Sequence, residues 1–391
     1  MPSPAHTSLS RAAASSIATP LVAAPLSDIP TPSTSADISA DRRRGRAAGT
    51  NVAGRFERHS TETIDDGWGN LEDLPVFKTE VREERARTII TRNSSPDLSF
   101  DRSINPYRGC EHGCIYCFAR PSHAYIGLSP GLDFEARLFA KPNAAEVLER
   151  ELSRPGYQAK PIAIGTNTDP YQPIERGYAL MREILEVLDR YNHPVAIVTK
   201  SALVERDVDI LSRMAERNLA RVALSITTLD TKLCRSMEPR ASAPHKRLGA
   251  IKTLSDAGVP ASVMIAPVIP ALTDSELESI LEAAAEHGAE GAAFILLRLP
   301  REVSELFRDW LVRERPGQFR HVMSLIRSMR GGKDYDANWG ERMRGSGPYA
   351  DQIAKRFQLA TKRLELNTRR HKLSSDTFIA PQKGGVQLDL F

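Results

Sequence analysis

Between residues 98 and 297 short apolar runs alternate with amphipathic segments, and this alternation restricts the fold more than any other feature of the chain. The runs at 162–165, 195–198, 222–226, 263–266 and 294–297 read as strands, and a short strand near 98–104 opens the series. Helices fit between them. Residues 176–191 set Leu180, Ile184 and Leu188 on one face, and residues 204–218 do the same with Ile210, Leu211 and Met214. The helix over 244–257 stops at Gly258, where a left-handed C-terminal residue is needed. Thr273 and Glu276 have the spacing of a capping box for the next helix, which Gly288 ends. Apolar strands joined by helical crossovers predict a parallel sheet buried on both faces. Six βα units are too few for an eight-stranded barrel. The expected class is α/β, with a partial (βα)6 TIM-like barrel; the residue pattern alone leaves an open doubly wound sheet as the alternative.

The flanks read differently. Residues 1–75 are rich in Ala, Ser, Pro and Thr, then Arg, without periodicity, and are expected to be a disordered extension. A transit peptide has a similar composition, but Asp28, Asp37 and Asp41 spoil the pattern. The core is expected over 96–300, a helical C-terminal region over 301–380 and a flexible tail over 381–391. No apolar run has the length of a bilayer span, so no membrane partner and a cytoplasmic location are expected. The net charge of +4 says little about partners.

Three of the four cysteines, Cys110, Cys114 and Cys117, fall within eight residues in a C-x3-C-x2-C spacing. A cubane iron–sulfur cluster takes four thiolates, one per iron. Three on one loop leave one iron open to a small chelating molecule, which marks a reaction centre rather than an electron relay. Gly109 and Gly113 each precede a cysteine and supply positive φ. Tyr116 and Phe118 flank the third and are placed to shield it from water. Zinc sites show paired C-x2-C units or histidine partners, and Cys234 stands far away. A disulfide framework does not suit a long chain with so few cysteines.

This spacing, with an aromatic before the third cysteine, resembles the radical S-adenosylmethionine (SAM) superfamily over roughly residues 98–300. The resemblance implies a 4Fe-4S cluster whose open iron chelates SAM, an external electron donor, and a 5'-deoxyadenosyl radical that abstracts a substrate hydrogen. In such barrels the site lies at the C-terminal strand ends. There the chain places Thr168 and Asp169 for the SAM ammonium, Lys200 or Arg240 for its carboxylate, Ser225 and Thr227 for the ribose, and Tyr116 for the adenine. Ala266, Pro267 and Arg298 also end strands. Glu175 is expected to complement a helix dipole, Cys234 to be a buried small apolar residue, and His112 to face solvent.

The stretches 238–241, 257–260 and 264–270 resemble the branch related to spore photoproduct lyase. Two departures separate this chain from that reaction: Thr166 stands where the lyase carries its hydrogen-donating cysteine, and Phe118 where it carries a second tyrosine. Beyond residue 300 helices are expected over 302–313, 318–330 and 351–366. Basic residues outnumber acidic ones from 313 to 372, a candidate phosphate-contacting surface, with Trp339 and Tyr349 as candidates for stacking on bases. The last five residues, Gln387, Leu388, Asp389, Leu390 and Phe391, resemble the peptide with which bacterial repair proteins dock on the replication sliding clamp. Together these imply a radical SAM enzyme on nucleic acid, akin to a DNA-repair lyase. The alternatives are a radical SAM enzyme on a small molecule, peptide or tRNA, and a non-catalytic iron–sulfur or zinc protein.

Overall fold

The computed structural model describes residues 43–57, 77–369 and 371–381. Its strands are β1 (Glu80–Glu83), β2 (Ile90–Arg92), β3 (Arg102–Ile104), β4 (Tyr107–Arg108), β5 (Arg137–Ala140), β6 (Ile162–Ile164), β7 (Val195–Thr199), β8 (Ala220–Ser225), β9 (Ala261–Val268) and β10 (Gly291–Leu296). The six expected strands are β3 and β6 to β10. They pair in parallel in that order, and β2 adds an antiparallel edge beside β3. A second sheet, β1-β5-β4, sits before β6 in the chain.

Side chains alternate across each strand, and the two faces differ. Ile162, Ile164, Val195, Ile197, Val222, Leu224, Val263 and Ile265 are buried against helical residues such as Ile184, Leu188, Leu211, Ile251 and Leu281. The other face carries Ala196, Ala223, Ser262 and Ala292, all only half-buried. The expectation of burial on both faces therefore holds for the helical side alone. Small side chains leave the other face open.

Three local expectations are corrected. The N-terminal extension is built into the fold at 43–57: Ala47, Ala48 and Val52 are buried with Leu132, Phe307 and Trp310. Small residues that look like disordered composition are what a narrow, backbone-lined slot admits. The capping box does not form. Thr273 Oγ1 accepts from the Ile269 amide (2.9 Å), and Glu276 accepts from Thr228 Oγ1 (2.5 Å) and the Leu229 amide (2.6 Å). Glu276 thus ties the loop after β8 to the helix Leu277–Glu286. Tyr349 does not stand free for stacking; it is half-buried and its hydroxyl donates to Asp274.

The C-terminal helices appear as Glu302–Glu314, Phe319–Ser328 and Pro348–Arg363. The last is pinned to the helix Leu277–Glu286 by Arg356 on Glu278 (2.5 Å). The chain then returns to the sheet, where Phe378 packs edge-on against His193 at 5.5 Å. Among the described residues no helix is long and apolar enough to cross a membrane. Residues 387–391 lie outside the described residues.

Candidate active site

The cysteine loop leaves β4 and is shaped by backbone geometry. Gly109 and Gly113 have φ of +73° and +66°. A Cβ at Gly109 would stand 2.6 Å from Leu138 Cδ2, and one at Gly113 2.7 Å from Glu135 Oε2. Both glycines are required for conformation and for space. The hub of the loop is Arg120, fully buried. Its guanidinium donates to the carbonyls of Cys114 (2.9 Å), Gly113, Pro130 and Gly131 (3.0 Å each) and to Glu135 Oε1 (2.5 Å). Glu135 in turn accepts the amides of Ala47 (3.1 Å) and Ala48 (3.0 Å). One buried ion pair thus joins the cysteine loop to the N-terminal segment.

Cys110 and Cys114 are buried and Cys117 half-buried. Burial raises all three thiols; the Asp169 carboxylate adds to the rise at Cys110 and the Glu238 carboxylate at Cys114, with repulsion from neighbouring thiols after them. The opposing influences are donors. The backbone amides of Asp169 and His112 point at the Cys110 sulfur, and those of Ala119 and Arg120 at Cys117. Three desolvated thiols that need a cation to ionise, supplied with amide donors, fit a thiolate-bound iron cluster. Among the described residues no three His, Cys, Asp or Glu side chains are grouped to ligate a single metal ion. A cubane is held otherwise, with each thiolate on a different iron.

The strand ends meet the loop. Lys200 Nζ, after β7, donates to Ser225 Oγ (2.6 Å) and to the Ala266 carbonyl (3.0 Å), and lies 5.7 Å from the Tyr116 ring centroid. The Ser225 hydroxyl donates to the same carbonyl at 3.1 Å, and Thr227 Oγ1 lies 3.3 Å from it. Tyr116, Lys200, Ser225 and Thr227 are therefore one group around Ala266. Beneath them Glu238 accepts from Thr227 Oγ1 (2.8 Å), from the Tyr116 hydroxyl and from the guanidinium of fully buried Arg247. Burial pushes the Glu238 carboxyl up, but Arg247, Lys200 and Tyr116 outweigh it and hold it at about 2. Cys234 is buried as expected, its Sγ 3.6 Å from Glu238 and 3.5 Å from Arg247; burial, then Glu238, pushes its thiol up to about 12.

The other expected residues are placed elsewhere in the shell. Asp169 accepts from Thr199 Oγ1 (2.7 Å) and the amides of Lys200 (2.7 Å) and Tyr171 (2.9 Å), and His112 Nδ1 lies 3.3 Å from it. Burial raises its carboxyl; His112 and these donors prevail and hold it at about 2. Asp169 thus ties β6 and β7 to the Cys110 end of the loop. Thr168 donates to the Tyr107 carbonyl (3.2 Å). Arg240 is paired with Glu111, whose amide donates to Gln172 Oε1 (2.8 Å). His112 is a correction: it is 2% exposed, not solvent-facing, because Asp169 draws it inward. Glu175 is also more than a dipole complement, being buried and accepting from Tyr107, Arg206 (2.7 Å) and the Met181 amide (3.0 Å). Phe118 does not shield the site: it is 45% exposed, beneath the Arg298 guanidinium at 5.0 Å.

Sequence reading missed the pairs Arg120–Glu135 and Glu238–Arg247 as units. For the second a signal existed. Arg247, Ile251 and Leu254 share one helix face, and an arginine on an otherwise apolar face calls for a buried acid. For the first there was none, since Glu135 lies 15 residues from Arg120 in a short irregular helix.

Fold and loop together point to one class: a parallel α/β sheet with a loop of three clustered cysteines beside the C-terminal ends of its strands. A family model described as the Radical SAM superfamily matches residues 104–284. Uncharacterized proteins of Mycobacterium tuberculosis and Mycobacterium bovis are 41% identical over 232 residues, 59% of this chain and 68% of theirs. One of Methanocaldococcus jannaschii is 29% identical over 199 residues, 51% of this chain and 71% of that protein. This chain belongs to the radical SAM superfamily, whose cofactors are a 4Fe-4S cluster and SAM. A solved spore photoproduct lyase complexed with dinucleoside spore photoproduct shares the fold, with a TM-score of 0.54 at 16% identity over 73% of this chain and 79% of that one. When bound, the cofactors supply one-electron cleavage and hydrogen-atom abstraction. Cys110, Cys114 and Cys117 are the residues that would hold the cluster, with amide donors at Cys110 and Cys117, and the chain keeps the Glu238–Arg247 charges dry beneath Tyr116 and Thr227.

Proposed function

We propose that this protein uses radical SAM chemistry on a nucleic acid, as a lyase-like repair enzyme whose sheet curves as a partial barrel around the reacting groups. The observation that carries this reading is the rim beside Cys117. Phe118 lies exposed under Arg298; among the described residues the Arg298 Nε is buried without a hydrogen-bond partner and its Nη1 meets the Met343 sulfur (3.4 Å). Along the same rim Trp339 is 57% exposed with the Arg342 guanidinium 4.1 Å from its ring. Exposed aromatics interleaved with arginines are the equipment for stacking on bases and pairing with phosphates.

In this reading Thr168, Asp169, Lys200, Ser225, Thr227, Arg240 and Tyr116 form the SAM pocket, and an external donor supplies the electron. Leu388, Leu390 and Phe391, with Gln387 and Asp389, dock on the sliding clamp and bring the rim to DNA in the cytoplasm. Thr166 and Phe118 separate the hydrogen-return step from that of the lyase resemblance.

The test is anaerobic reconstitution with iron, sulfide, SAM and dithionite, following 5'-deoxyadenosine with ultraviolet-damaged and intact DNA. Turnover that depends on damaged DNA and vanishes in Cys110→Ala is expected; release that ignores DNA removes the substrate class. Binding of the full chain to a bacterial sliding clamp is expected to fall at least tenfold in Phe391→Ala. Equal affinity of the two forms removes the docking reading.

A further inference from the structure

At the N-terminal ends of the parallel strands, the sheet end away from the cysteine loop, lies a cavity of about 680 Å³. Its floor is the open face of small side chains: Ala163, Ala196, Ser262 and Ala292. Arg221 enters it from the start of β8, four residues and so about 13 Å along the strand from Ser225. The remaining wall is made by Asn367, Arg369, His371, Lys372 and Leu373, and it is tied down at both ends. The Asn367 side chain takes both the amide (2.9 Å) and the carbonyl (3.0 Å) of Ala292, and its own amide donates to the Glu290 carbonyl (2.8 Å). On the far side the Ser374 amide donates to the Asn218 carbonyl (2.9 Å). Between these ties Arg369 and Lys372 line the cavity opposite Arg221.

Among the described residues Arg221, Arg369 and Lys372 make no ion pair with a carboxylate, so their charge is free to face a ligand. Glu290 is the one acid on the wall, and His371 occupies it. Three like charges around one cavity repel one another and draw an anion. The half-buried ring of Phe100 supplies an apolar wall, and the volume falls within the roughly 300–1,000 Å³ of small-molecule sites.

We infer that this cavity binds a phosphorylated, ring-bearing small molecule of nucleotide size, with Arg221, Arg369 and Lys372 on the phosphate and Phe100 against the ring. The site is separate from the cysteine loop and does not rest on the nucleic-acid reading.

Titration calorimetry of adenosine 5'-monophosphate into the full chain tests it. One saturable site is expected, weakened at least tenfold in Arg221→Gln and in Lys372→Gln and unchanged in Cys110→Ala. Arg221, Arg369 and Lys372 are exposed, so both variants are expected to keep the parent melting temperature. Phe100→Ala is expected to weaken the nucleotide but not inorganic phosphate. The inference is overturned by no saturable binding, by variants that bind like the parent, by phosphate binding as tightly as the nucleotide, or by binding of a twelve-nucleotide single strand with none of the mononucleotide.

Discussion

Arg247 and Glu238 stand side by side with no solvent access, under Tyr116 and beside Cys234. Removing one partner leaves a bare buried charge, so Arg247→Met is expected to cost about 3–5 kcal/mol in denaturant unfolding. A double change to Arg247→Met with Glu238→Gln is expected to recover part of the stability. His193 illustrates the opposite case, a buried group kept neutral. Its Nε2 meets the Tyr157 hydroxyl at 2.9 Å, and burial brings its pKa down from 6.5 to about 4. The unfolded chain binds the proton first, so stability is complete above pH 6.5 and falls as pH drops from 6.5 to 4. The loss is about 3 kcal/mol. His193→Gln is expected to flatten the unfolding free energy across that window; an unchanged slope would show that other groups carry it.

Among the elements, the segment 43–57 has the largest consequence for the site. It contributes two amides to Glu135, and Arg46 donates to the Glu135 carbonyl (2.5 Å). Without it, Glu135 keeps Arg120 but loses the amides of Ala47 and Ala48. A chain lacking residues 1–57 is therefore expected to reconstitute less iron per protein than the full chain, while retaining the helical signal of the core. Glu135→Gln in the full chain is expected to reproduce the iron loss. The βα series itself was plain in the sequence because strands and helices differ in period, and every one of its helices packs an apolar face on the sheet. The capping box was misread because Glu276 found the Leu229 amide, a partner across the loop that local spacing does not announce.

Across the whole molecule, the rim of Phe118, Arg298, Arg342 and Trp339 draws on β10, the cysteine loop and the C-terminal helices together. Arg342 is steadied by Asp97 (2.5 Å), and Ser95 accepts from it at 2.6 Å. Trp339→Ala and Arg298→Gln are expected to weaken DNA binding in salt-dependent titrations by about 1–3 kcal/mol while leaving SAM cleavage without substrate intact. Equal loss of both activities would place these residues in cofactor binding instead.

The cysteine spacing, the glycines that let the loop close and the strand–helix order are legible in the chain alone, because each depends on neighbours within a turn or a strand. The sequence also named most of the polar strand-end residues, since parallel strands bring their C-terminal ends to one side. Which of these residues meet depends on how the chain folds in three dimensions. Lys200, Ser225 and Thr227 share the Ala266 carbonyl, whereas Asp169 and Arg240 are engaged by His112 and Glu111. The tertiary structure alone drew residues 43–57 into the core and set Arg221 across a cavity from Arg369 and Lys372. Such contacts bring together residues 25 to 266 positions apart, and their energy comes from burial and geometry that no local pattern records.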